Sequence, residues 1–212
     1  MEILKDKNNQ NYIKATNPYE NFEKIDNNII SFYMKYNHLK NIYRQGWLNV
    51  RIGLEHKDKC ESIADHSFSV ALLALTIIET NKLNLDTFKC IKMGIIHELG
   101  EVYAGDYTPL DNITKEEKHI KEKEALLNVI ETLDEDNDYL EIWEEFEKAE
   151  TDEAKFIKNI DQLEFLLQAC AYGYDAQYFK RTLNSITDPY CKEIATSAIE
   201  MTKGNKKPKI VG

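Results

Sequence analysis

The chain has 212 residues, of which 42% are hydrophobic and 30% charged, and a formal net charge of -10. That balance fits one well-cored globular domain and argues against nucleic acid or an anionic membrane as partner, because neutralising phosphates takes clustered Lys and Arg. Eight Gly and four Pro are too few for a turn-rich β-sandwich, whereas a small anionic substrate stays open, since a bound cation can reverse the field inside a pocket. Cys60, Cys90, Cys170 and Cys191 are widely spaced and form no C-x-x-C pair, a pattern of reduced intracellular thiols. The opening residues lack a secretory apolar region, and no apolar stretch reaches transmembrane length. The expectation is a cytoplasmic protein without a membrane partner.

Residues 1–18 are polar and Asn/Lys-rich, ending at Asn17-Pro18, and read as a flexible arm. Helical periodicity then dominates: Phe22, Ile25, Ile29, Phe32, Tyr33 and Tyr36 predict a helix continuing towards Ile42-Tyr43, broken by Arg44-Gln45-Gly46-Trp47. Residues 48–61 read as a loop. Ser62 is placed to cap an apolar helix through Val70, Leu73, Ile77 and Ile78, and Asp86 to cap the next, through Phe88, Met93, Ile95 and Ile96. Thr114 with Glu117 has the form of a capping box for a helix to about Leu133. After the acidic turn 134–138 come a short helix through Trp143 and Phe146, a helix from Thr151 through Ile157, Ile160 and Leu163, and a last one from Pro189 to Met201. The fold class is all-α: a helical domain over 19–205 with a Lys-rich tail, 206–212.

Chemistry concentrates in Ile96-His97-Glu98-Leu99-Gly100-Glu101. Positions four apart share a helical face, so a continuous helix would project His97 and Glu101 together, with Glu98 beside them. An imidazole and two carboxylates at the end of an apolar helix are costly to bury without a cation. The Gly after this cluster suggests close approach of another backbone. His66 and Asp161 complete a set of two nitrogens and two oxygens, donors that suit Mn²⁺, Co²⁺, Fe²⁺, Zn²⁺, Ni²⁺ or Mg²⁺ better than a thiolate-selecting ion. Taken alone, His66 reads as an ordinary polar residue of a first helical turn, and Asp161 as an exposed partner for Lys158. Glu at position 101 excludes the His-Glu-x-x-His zinc protease motif.

In colinear order stand Arg44-Gln45-Gly46-Trp47, Ser62-Ile63-Ala64-Asp65-His66, His97-Glu98-Leu99-Gly100-Glu101 with Gly105-Asp106-Tyr107-Thr108-Pro109, and Lys115-Glu116-Glu117-Lys118-His119. They are followed by Ile142-Trp143-Glu144-Glu145-Phe146-Glu147, then Ala154-Lys155-Phe156-Ile157-Lys158 with Asp161 and Glu164. This series, over roughly residues 38–170, resembles the HD-domain metal-dependent phosphohydrolases, in particular the branch of bacterial 5′-deoxynucleotidases and the eukaryotic HD domain-containing protein 2. The resemblance implies one divalent metal held by His66, His97, Glu98 and Asp161. It implies that Glu101 is the general base or orients water, and that Asp106 positions water or contacts the sugar. Arg51, with Arg44 in reserve, would face the phosphate, and Trp47 would shape the sugar pocket. It also implies a homodimer and hydrolysis of deoxyribonucleoside 5′-monophosphates. Two departures stand out: Glu98 replaces the family Asp, and the loop from Trp47 to Ser62 is long. They keep two alternatives in view, another small phosphoester such as a cyclic nucleotide or nucleoside triphosphate, and a catalytically weakened nucleotide-binding protein.

Overall fold

The computed structural model describes residues 4–5 (backbone), 11–16, 26–49 and 60–207. These form two compact units, one of Met1–Asp65 with Glu98–Leu140, the other of His66–His97 with Glu141–Gly212. The architecture is all-α, save for a two-residue antiparallel ladder of β1 (Leu4–Lys5) and β2 (Tyr12–Ile13).

In the first unit, α1 (Asn28–Tyr36) starts at Asn27, whose side chain accepts from the Ile30 N–H, and passes into a 3₁₀ turn, Asn37–Lys40. The helix expected to reach Tyr43 therefore stops early. Arg44-Gln45-Gly46-Trp47 opens a short helix, α2 (Gln45–Asn49), rather than a simple break. The Gln45 amide accepts from Tyr12 N (3.1 Å) and donates to Tyr12 O (2.9 Å) and Tyr43 O (2.7 Å). These bonds fix part of the segment expected to be a flexible arm, where Ile13 is 1% exposed and bridges Ile42. A buried apolar side chain and satisfied backbone groups anchor what local polarity alone would leave loose. After α5 (Glu101–Ala104), Gly105 turns the chain at φ 85°. Helix α6 (Lys115–Ile130) carries the full Thr114–Glu117 capping box.

Helix α3 (Ile63–Asn81) begins in the first unit and continues into the second. At 19 residues with mean hydropathy 1.3 it is long and apolar enough to cross a membrane, which corrects the expectation that no stretch reaches that length. It carries a fully buried His66 and packs through Ala71 against Gly94 of α4 (Thr87–Ile96), so it serves as a core helix. Helix α7 (Tyr139–Lys148) leads to α8 (Asp152–Ala171), capped by Thr151. The buried stripe Phe156, Ile157, Ile160, Leu163 and Leu166 makes α8 the centre of this unit, against α4, α9 (Lys180–Ser185) and α10 (Pro189–Thr202). Asn159 on α8 accepts from Thr187 N and Asp188 N (2.6 and 2.9 Å), fixing the turn into α10.

One contact in the first unit tests the packing. A Cβ on Gly100 would lie 2.5 Å from the backbone oxygen of Glu122 on α6. Gly100→Ala should therefore destabilise the protein by about 1–3 kcal/mol through overpacking. A urea midpoint equal to wild type would show that α6 moves aside without cost.

Candidate metal centre

Two groups of buried polar side chains stand out, one in each unit. In the second unit, His66 sits in the first turns of α3, and Asp161 and Glu164 lie one turn apart on the face of α8 that carries Ile157. His66 Nδ1 lies 2.6 Å from Glu164 Oε2, while its Nε2 faces Asp161 Oδ1 at 3.1 Å. His66 is fully buried and Glu164 nearly so. Asp161 is not a surface partner for Lys158: Lys158 pairs with Glu147 at 2.9 Å and lies over the Phe146 ring at 3.5 Å. His97, at the end of α4, places its ring 5.4 Å from that of His66 and 4.9 Å from that of Phe146. Its Nδ1 donates to Gly94 O (2.9 Å).

The fit to a cation follows from proton placement. A ring nitrogen that donates to a carboxylate or a carbonyl carries the hydrogen, so in the neutral ring the other nitrogen holds the lone pair. Both imidazoles are thus set to offer Nε2. The His66 lone pair then faces a carboxylate oxygen at 3.1 Å, an acceptor–acceptor approach that is repulsive unless a positive charge lies with the pair. Neighbouring ligand atoms on one ion with bonds of about 2.1 Å sit at about this separation. The residues fit a divalent metal.

In the first unit the residues after His97 do not continue the helix. Glu101 N bonds to Glu98 O and Val102 N to Leu99 O (3.0 and 3.3 Å), a turn in place of the helical face expected to align His97 with Glu101. The close approach of Glu122 to Gly100 is the backbone contact that this Gly allows. Arg44 Nη1 pairs with Glu98 Oε1 at 3.2 Å and lies 3.7 Å from Asp106 Oδ1. Asp106 Oδ2 accepts from the Gln45 backbone N–H at 2.6 Å. Glu101 is 1% exposed, and among the described residues neither of its carboxylate oxygens has a hydrogen-bond partner. Burial, then Glu98 and Asp106, push the Glu101 acid well above the carboxylate range. Burial also raises Asp106, against the pull of Arg44. Lys118 shows the complement: burial opposes its charge, yet Glu122, Glu101 and Glu98 hold it above the ordinary ammonium range.

A model of the HD domain matches residues 36–200. The chain belongs to the HD-domain family. The mouse protein named 5′-deoxynucleotidase HDDC2 is 37% identical to it over 146 residues, 68% of this chain and 69% of that protein. The Saccharomyces cerevisiae protein named 5′-deoxynucleotidase YGK1 is 31% identical over 195 residues, 86% of this chain and 84% of its own. Among solved structures, a conserved hypothetical protein from Pyrococcus furiosus superposes with a TM-score of 0.64 at 28% identity, covering 82% of this chain and 98% of that one.

Within this HD chain, the described residues place His66, His97 and Asp161 together in the second unit and Arg44, Glu98, Glu101 and Asp106 in the first. Arg51 lies outside the described residues. Trp47 is 1% exposed and donates its indole N–H to Glu61 (2.6 Å), as a core aromatic does. A cavity of about 760 Å³ in the first unit is lined by Tyr12, Gln45, Asn49, Tyr103, Asp106 and Lys121 among others. The residue that sequence reasoning left without a role is Glu164. Its spacing of three from Asp161 was the available signal, since i and i+3 share a helical face.

His66→Ala and Asp161→Ala should each lower the metal retained after dialysis, with a loss of affinity beyond the roughly 10–100-fold typical of losing an outer partner. Full occupancy in either variant, read by elemental analysis of Mn²⁺-loaded protein, would remove that residue from the ligand set.

Proposed function

We propose that the protein is a metal-dependent 5′-nucleotidase that hydrolyses deoxyribonucleoside 5′-monophosphates to deoxynucleoside and inorganic phosphate. The observation that carries the reading is the pair of imidazoles with their Nδ1 atoms committed, one of them facing Asp161. The relatives' names supply the substrate class. In this reading His66, His97, Glu98 and Asp161 hold one divalent ion. When bound, the ion sets positive charge against the phosphate and makes water easier to deprotonate.

The chain's own residues divide the remaining work. Glu101 takes the proton of the attacking water; its oxygens have no hydrogen bond to break among the described residues. Asp106, fixed by the Gln45 N–H and lining the cavity, orients water or a sugar hydroxyl. Arg44 is largely buried and pairs with two carboxylates, and its planar fork suits it to hold a phosphate oxygen. Arg51 is the other candidate for that task. The cavity is large enough for a nucleoside, and its amide and phenol side chains offer both hydrogen bonds and flat apolar faces. Phosphoryl transfer depends mainly on positioning and charge neutralisation, so one cation and one Arg suffice.

The reading extends to a homodimer. Phe68 and Leu72 on α3 and Phe88 and Ile95 on α4 are exposed apolar side chains of one unit, and a second copy would cover them. Sedimentation at several concentrations tests this.

Chelated protein reloaded with Mn²⁺, Co²⁺, Mg²⁺ or Zn²⁺ should release phosphate from dAMP, dGMP, dCMP and dTMP in preference to the ribonucleotides. Silence across the panel would sink the nucleotidase reading. Glu101→Ala should keep its metal while turnover falls by about 10²–10⁴-fold, the range for losing a general base. Loss of metal and turnover in equal measure would instead make Glu101 a ligand.

A further inference from the structure

We propose that Glu164 is a positioning residue for the metal centre: its carboxylate fixes the His66 imidazole so that Nε2, and not Nδ1, is presented beside Asp161. The inference rests on His66 being a ligand and adds a group outside the ligand set.

Three observations carry it. The Glu164 Oε2–His66 Nδ1 distance is 2.6 Å, short for a nitrogen–oxygen hydrogen bond, which runs to about 2.7–2.9 Å even when a partner is charged. His66 is 0% and Glu164 3% exposed, so bulk water does not compete for the bond. The spacing of three on α8 puts Asp161 and Glu164 on one face, and they address opposite nitrogens of one ring. A single rigid helix therefore supplies both the neighbour at Nε2 and the anchor at Nδ1, and ring rotation would break both contacts. His97 has its Nδ1 tied to the backbone oxygen of Gly94, which no side-chain substitution removes. Glu164 is the anchor open to mutation.

The test uses full-length, chelator-stripped protein and Co²⁺ alone, with titration calorimetry and the visible absorption of the bound ion. Glu164→Gln keeps the volume and an acceptor oxygen but removes the charge. It should bind Co²⁺ about 10–100-fold more weakly, with an altered visible band and a near-wild-type melting temperature without metal. Glu164→Asp, with the charge retained at shorter reach, should fall between the two. A purely structural Glu164 would shift the melting temperature and leave the affinity of the folded protein unchanged. Wild-type affinity and spectrum in folded E164Q would overturn the assignment. If E164Q does not fold, E164D is read the same way: weaker binding and an altered band support the role, and wild-type values overturn it. Failure of wild-type protein to bind Co²⁺ would instead bring down the metal reading, a result distinct from wild-type binding matched by E164Q.

Discussion

The second unit is organised by a buried imidazole held between two carboxylates of one helix. Taking an imidazole and two acids out of water is unfavourable unless each polar atom finds a partner. Helix α8 meets that condition at Nδ1, through Glu164, and its register sets Asp161 opposite Nε2. The stripe that buries Ile157, Ile160 and Leu163 also turns Asp161 and Glu164 towards His66. Rotating α8 by one residue, about 100°, would expose the stripe and strand the acids together. Apolar packing and site geometry are thus one constraint here, and Asn159 holds it by tying α8 to the turn before α10.

The first unit solves a related problem with the opposite balance. Burial, then Glu98 and Asp106, raise the cost of ionising Glu101; burial and Glu98 raise that of Asp106; Arg44 and Lys118 offset part of it. The Arg44–Trp47 segment is the hub. Arg44 reaches two of the acids, the Gln45 backbone holds one of them, the Gln45 side chain fastens Tyr12, and Trp47 meets Glu61. Glu98 reaches the guanidinium with a longer side chain than the family Asp. Glu101 is left buried with its oxygens unsatisfied among the described residues, the condition expected of a group whose partner is an ion or a substrate rather than a neighbouring side chain.

Much of this was legible because it depends on neighbours in sequence. Asp86, Thr114 with Glu117, and Thr151 start helices because a side-chain oxygen can reach an N–H two or three residues ahead, whatever the tertiary context. Gly100 signalled a close backbone approach, and Glu122 provides it. Periodicity failed where tertiary contacts end a helix. His97 and Glu101 are spaced for one helical face, yet a turn separates them. Lys180–Ser185 is helical without an apolar period to announce it. Residues 11–16 of the polar opening segment carry no local signal of structure, yet Ile13 and the Gln45 amide anchor them.

The sequence by itself determined the all-α class, most helix starts, the family and the donor types gathered around His97, because composition, capping and helical period act over a few residues. Tertiary structure decided which nitrogen of each imidazole is bonded, that Asp161 faces His66 while Lys158 turns to Glu147, and that Glu164 meets His66. Those outcomes depend on contacts between groups as far apart in sequence as His66 and Glu164. Such distances are fixed only once apolar stripes have packed and set the rotation of each helix.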